Sequence, residues 1–228
     1  MARTFNGSSQ YLSAGSTLLA DEPISMACLG NSDSVAVTQT PMSLGNNGAS
    51  GFYETQFAGA AASDPIRAAK VNDGGGSVGI AASSAGYGAG AWHHAIGVFI
   101  NDTSRAAYKD GGSKGTNATS VANPTPDYVT VGVRRLSGNA QYFDGSIAEA
   151  FIMDYQLNDA QAALMAGGIH PIDACIPIAN IRAWYPLMGD DNNRMGGGYP
   201  NLSPTDSPTF GTHPVTPIYP RIGALICL

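Results

Sequence analysis

The sequence predicts an all-β protein, a two-sheet antiparallel sandwich, on three observations. Short segments rich in β-branched and aromatic residues recur at regular spacing, with Gly, Asn and Asp turns between them. Helix signals are confined to one stretch, Asn158 to Gly168. Hydrophobic residues make up 43% of the 228 positions against 12% charged. That fills one core and leaves a surface polar through Ser, Thr, Asn and Gly.

In chain order, Thr4-Phe5 and Gln10-Tyr11-Leu12 flank Asn6-Gly7-Ser8-Ser9 as strand, turn, strand. Ile24 to Leu29 alternates and should pair across the sandwich. Ser34 to Leu44 and Gly51 to Phe57 are weaker strands around Gly45-Asn46-Asn47-Gly48, and Ile66 to Val71 and Val78 to Ala82 bracket the Asn72 to Gly76 turn. In the next strand Trp92, His94, Ile96 and Val98 share one face, with His93, Ala95, Gly97 and Phe99 on the other. Arg105 to Lys109 runs into Asp110-Gly111, the strongest short hairpin signal, and Ser113 to Thr119 returns. Asp127 to Val133 is another strand.

The chain is organised around Tyr142 to Gly168. Strict alternation puts Phe143, Ile147, Phe151 and Met153 on one face and Ala148, Ala150 and Ile152 on the other. A strand apolar on both faces belongs inside a covered sheet. Glu149 is the charge in its middle and needs donors around it, so it is assigned a structural role at the sandwich centre. Asn158 is a good N-cap, Gln161 stands at the capping-box position, Ala160 to Ala166 is strongly helix-forming, and Gly167-Gly168 supplies the stop.

The pattern F-x-G-x-I-A-E-x-x-I from Phe143, followed by L-x-x-A-Q-x-x-L from Leu157, resembles the laminin-G-like branch of the concanavalin A-like lectin/glucanase superfamily, in the compact form found in bacteriophage virion proteins. RTFNGSSQYL at Arg3, WHHAIGVF at Trp92, SRAAYKDGGSKGTN at Ser104 and RAWYPL at Arg182 are similar to it as well. The resemblance covers roughly residues 2 to 188 and implies a jelly-roll sandwich with one short helix. It is weak for function, because this fold carries many activities.

The chemistry is read largely by exclusion. The net charge of −6 argues against a nucleic acid partner, and no apolar run reaches the length of a membrane span. The start Met1-Ala2-Arg3-Thr4-Phe5 has no apolar signal-peptide core, so synthesis in a host cytoplasm is expected. Glucanases of the superfamily carry alternating carboxylates on one strand, whereas Glu22, Glu54 and Glu149 stand alone, so no enzymatic activity is expected. His93 and His94 point to opposite strand faces and are not expected to share a metal; His94 should pack beside Trp92 with its polar edge hydrogen-bonded. Cys28, Cys175 and Cys227 are odd in number and far apart, which fits neither a disulfide framework nor a zinc site. No cofactor is expected. Calcium, which the resemblance raises, has candidates in Asp190, Asp191, Asn192 and Asn193 or in the Asn101-Asp102 turn, all ordinary turn formers too. Tyr53, Tyr87, Tyr142 and Tyr155 are candidate aromatic platforms for a sugar.

After Leu187 the composition shifts to glycine and to prolines at 200, 204, 208, 214, 217 and 220. The reading is a sandwich at residues 1–188 and an extended arm at 189–228 without strand pairing of its own. The arm's apolar end, with Tyr219, Ile222, Leu225, Ile226 and Leu228, is assigned to assembly on a neighbouring subunit, with packing on its own domain as the alternative. The expected function is a phage virion structural protein at the particle surface, a capsid decoration or cement protein. Its partners would be the major capsid protein or copies of itself. The alternative is a carbohydrate-binding adhesin on a tail or head fibre, with a host-surface glycan as partner.

Overall fold

The computed structural model describes residues 1–15, 21–195 and 199–213. Its strands are β1 (Ala2–Asn6), β2 (Tyr11–Gly15), β3 (Ile24–Ser32), β4 (Thr38–Gly45), β5 (Phe52–Ala58), β6 (Pro65–Val71), β7 (Val78–Gly86), β8 (Trp92–Asn101), β9 (Ser104–Lys109), β10 (Gly112–Asn117), β11 (Tyr128–Val131), β12 (Arg134–Arg135), β13 (Asn139–Ala140) and β14 (Asp144–Met153). The helix α1 (Asp159–Ala166) follows, and then β15 (Ile181–Tyr185), β16 (Ser203–Thr205) and β17 (Thr209–Gly211). The first sheet runs β10-β9-β8-β3-β14-β1-β17, with β15 also paired to β14; the second runs β16-β2-β11-β4-β5-β6-β7. Every pairing between them is antiparallel, and β12 and β13 form a separate small hairpin.

Local chemistry explains the connections. Asp110 and Gly111 both take positive φ, +52° and +70°, as a tight primed turn requires, and Lys109 pairs with Gly112 across it. At α1 the Asn158 side chain accepts from Gln161 N at 2.9 Å while the Gln161 side chain accepts from Asn158 N at 3.1 Å. Two orphan helix donors are satisfied reciprocally. The opening strand-turn-strand divides: β1 joins the first sheet and β2 the second, so Gly7 turns a corner between sheets.

Phe5, Met26, Tyr53, Phe57, Phe99, Phe143 and Ile147 fill the space between the sheets. Edge-on aromatic pairs knit it, Tyr53 with Phe99 at 5.1 Å and Phe57 with Phe143 at 5.4 Å. Phe57 leaves no room opposite: a Cβ on Gly30 would lie 2.7 Å from its ring. β3 pairs with β14 and β8 inside its own sheet and reaches across through Met26 and Cys28. Cys28 is free and buried, and desolvation pushes its thiol up to about 12. A second apolar cluster covers the outer face of the first sheet, where Ile96, Val98, Phe151 and Met153 meet Ala162 and Met165 of α1 and Trp184 of β15.

The face assignment on β14 is corrected. Ile147, Ala150 and Ile152 point between the sheets, whereas Phe151 and Met153 point outward beneath α1. A bulge is the cause. Ala148 pairs with Leu29 and Phe151 with Ala27, so β14 carries one residue more than its partner. Glu149, at φ +50°, takes up the extra length, and one inserted residue swaps the faces beyond it. Glu149 is therefore buried under the outer cover rather than at the centre of the sandwich.

The segment after Leu187 is corrected too. β16 pairs with β2 and β17 with β1, while Tyr199 and Leu202 enter the main core. Arg3 pairs with Asp191 through Nε at 2.7 Å and through Nη2. Proline is tolerated in β16 because an edge strand has one unpaired side. Residues 199–211 thus complete both sheets. Tyr219, Ile222, Leu225, Ile226 and Leu228, assigned to assembly, lie outside the described residues, as does Cys227. Cys175 is disulfide-bonded, which corrects the expectation drawn from the odd cysteine count.

Candidate functional site

Alternation along β5 creates the site. Tyr53 and Phe57 point into the core, so Phe52, Glu54 and Gln56 point out from the second sheet. Arg67 on β6 stands directly opposite Gln56, and Ala69 opposite Glu54. Ile80 and Ala82 of β7 continue the same face, opposite Ala69 and Arg67. The β12–β13 hairpin folds over one side as a wall. Leu136 packs on Phe52, Ala69 and Val71, and the Arg134 guanidinium lies 5.2 Å from the Phe52 ring centre.

At the foot of this wall lies a polar cluster around Glu54, which is 0% exposed. Its carboxyl accepts from Thr40 Oγ1 at 3.1 Å and from Gln56 Nε2, with Arg134 Nη1 at 3.7 Å. Thr40 also reaches Gln141 Oε1 at 3.0 Å. Desolvation dominates over these partners and pushes Glu54 up to about 7. Three buried polar atoms here have no hydrogen-bond partner: Gln56 Oε1, Arg67 Nε and Arg134 Nε. The arrangement offers hydrogen-bond donors and an acceptor beside a step of small aliphatic side chains. It lacks the second carboxylate that glycoside hydrolysis uses; the groups acting on Glu54 are Arg134, Gln56 and Thr40.

Residues singled out from the sequence fall elsewhere. Tyr53 is fully buried and Tyr87 is buried with its hydroxyl on Ser34 O at 2.9 Å, so neither is a platform. Tyr142 pairs with Tyr11 at 6.3 Å, and the Tyr155 hydroxyl accepts from Gln161 Nε2 at 3.4 Å. Trp92 is half-buried on β8. His94 is buried as expected, but the hydrogen-bonded ring is its neighbour. His93 is the hydrogen-bonded ring, with Nδ1 2.9 Å from Asp110 Oδ2 and Nε2 accepting from Gly88 N at 3.1 Å. His94 is buried with Nδ1 unpartnered, and desolvation lowers it to about 4.

Both calcium candidates are occupied by the protein's own cations. Lys70 Nζ sits between Glu22 Oε2 at 2.8 Å, Asp102 Oδ1 at 3.1 Å and Asn123 Oδ1 at 2.7 Å. Asp191 is held by Arg3, and Asp190 by Arg194 at 2.8 Å. No cluster of metal-ligating side chains occurs among the described residues.

A two-sheet β-sandwich with one outer face apolar and covered, and the other partly open and polar, is a lectin-like architecture. The chain belongs to the concanavalin A-like lectin/glucanases superfamily, whose laminin-G-type family model matches residues 6–163. No curated protein sequence matches it significantly. Among solved structures it is similar to a putative carbohydrate-binding protein from Bacteroides ovatus (16% identity, TM-score 0.67), covering 96% of this chain and 61% of that one. It is also similar to a native heptameric SAP-like pentraxin from Limulus polyphemus, at 15% identity and TM-score 0.57 over 73% and 82% of the two chains. A third is the CBM40 module of a Ruminococcus gnavus IT-sialidase, bound to α2,3-sialyllactose, at 16% identity and TM-score 0.53 over 65% and 84%. At these identities the likeness establishes the fold.

Proposed function

We propose that this protein is a non-catalytic carbohydrate-binding module that takes a saccharide on the outer face of the second sheet and serves as an adhesin on a phage fibre. One observation carries the reading: Gln56 Oε1, Arg67 Nε and Arg134 Nε are buried without partners on one partly open face. Unpaired buried polar atoms are costly in an isolated domain, and a polyol ligand repays that cost. The aliphatic step of Ala69, Ile80 and Ala82 suits the apolar face of a sugar ring. The similar carbohydrate-binding folds agree with this reading, and the phage setting rests on the sequence motifs alone.

The test is a glycan array probed with the full chain, followed by calorimetric titration of the hits against Gln56→Ala. Binding that falls at least tenfold in the variant, while circular dichroism and a cooperative melt show it still folded, supports the assignment. An array with no hits, or a variant that binds like the parent, overturns it. The second reading, a capsid decoration protein, is favoured by the apolar sequence Ile218 to Leu228. Copy number per particle separates the two, since decoration needs hundreds of copies and an adhesin tens or fewer.

A further inference from the structure

We propose that the saccharide bound by this face is acidic, and that Arg67 and Arg134 receive its carboxylate. The proposal rests on the binding reading above and narrows it to a substrate class. The distribution of cations motivates it. Arg3, Lys70, Lys109, Lys114, Arg182 and Arg194 each hold a carboxylate in an ion pair. Among the described residues Arg67 has neither an ion pair nor a side-chain hydrogen bond, although it is half-buried and its Nε is wholly buried.

Arg134 stands 3.7 Å from Glu54, beyond hydrogen-bond reach, and its Nε is buried and unpartnered as well. Burial pushes Glu54 up to about 7, so at neutral pH much of the Arg134 charge is uncompensated. Arg135, the next residue, lies over the Tyr128 ring at 4.0 Å and donates to Asn47 Oδ1 rather than to an acid. Arg105 also lacks an ion pair, but it is fully buried and donates to Asn117 Oδ1 and to the carbonyls of Asp102 and Thr119. Among the described residues, Arg67 and Arg134 are the incompletely matched guanidinium groups that remain partly exposed beside Gln56 and Glu54.

The geometry suits a planar anion on a sugar. Glu54 and Gln56 are alternate residues of β5, about 7 Å apart. Arg67 flanks Gln56 across the strand pair and Arg134 flanks Glu54 from the hairpin. A carboxylate between the guanidinium groups would take paired N–H donors from Arg67. The ring hydroxyls would then meet Gln56 Oε1 and the partly exposed Gln141 side chain. A guanidinium half-shielded from water favours a carboxylate with its own hydroxyl neighbours over a freely hydrated ion.

The experiment titrates the full chain with sialyllactose against lactose, and with oligogalacturonate against the same oligomer after carboxyl reduction, with dextran sulfate as the charge control. The expected result is binding of at least one acid that weakens tenfold or more in its neutral counterpart. The same loss should appear in Arg67→Gln, and Arg67→Lys should recover only part of it. Equal binding of acid and neutral forms overturns this inference and leaves the carbohydrate reading intact. Failure to bind any saccharide overturns both. Dextran sulfate binding as tightly as the best acid reduces the face to non-specific charge attraction and overturns the inference too. The comparison of native and reduced oligomers uses the unaltered protein, so it decides the matter even if the Arg67 variants fold poorly.

Discussion

The indole N–H of Trp184 donates to Glu149 Oε2 at 2.7 Å, joining β15 to the bulge at the middle of β14. The same carboxylate meets His213 Nε2 through its other oxygen at 3.1 Å. Glu149 is thus the point where the central strand, its neighbour and the last described residues converge.

Removing this carboxylate leaves the Trp184 indole buried without its acceptor. Glu149→Ala should destabilise the fold by about 2–4 kcal/mol, read as a lower urea midpoint at unchanged m-value. Glu149→Gly removes the same carboxylate but suits φ +50°, so it should cost less than the alanine variant. Equal costs for the two would mean that the bulge backbone is unstrained.

Glu54 predicts a pH dependence. Burial pushes it up to about 7, above the ordinary 4.5 of a glutamate, so its contribution to stability is complete below about 4.5 and is lost as pH rises through 7. The span corresponds to about 3 kcal/mol. His94 and His170 act oppositely: both are lowered to about 4 by burial, so their contribution is present above 6.5 and is lost as pH falls through 4. Subtracting the stability profile of Glu54→Gln from that of the parent isolates the first effect. A flat difference between pH 4 and 8 would place Glu54 in contact with water.

Lys70 predicts indifference to metals. Its ammonium already sits among the oxygens of Glu22, Asp102 and Asn123, so neither chelator nor added calcium should move the melting temperature in calorimetry. Lys70→Met strands the buried Glu22 carboxylate at the sandwich end and should cost roughly 3–5 kcal/mol. A melting temperature that drops on adding chelator would show that a metal occupies the parent protein.

Ending the chain at Met188 should damage the domain. It removes β16, β17, Tyr199, Leu202 and the Asp191 partner of Arg3, and burial of the two side chains alone is worth about 2–3 kcal/mol each. The truncated protein should show a lowered or broadened melt by circular dichroism. A melt matching the full chain would return residues 189–213 to the role of an accessory arm.

The sequence made the local elements legible and the distant ones much less so. Asp110-Gly111 and the Asn158/Gln161 box carry their own geometry, and both were readable because all the groups involved lie within a few residues. Phe151 and Met153 were assigned to the wrong face because counting by twos cannot sense the extra residue at Glu149. The prolines at 200, 204 and 208 hid two strands, since an edge strand tolerates what an interior one rejects. The candidate site had a signal in the alternation of Phe52, Glu54 and Gln56 against Tyr53, Thr55 and Phe57. Glu54 still read as solitary, because Thr40 and Arg134 reach it from other strands and no spacing rule links them.

The position of β16 and β17 has a consequence for biosynthesis. Both pair with strands from the first fifteen residues, one in each sheet. Until residues 203–211 leave the ribosome, β1 and β2 therefore present two unpaired edges, each a template for another chain. The nascent chain stays adhesive at both edges until that stretch emerges, and its docking ends the exposure in both sheets at once.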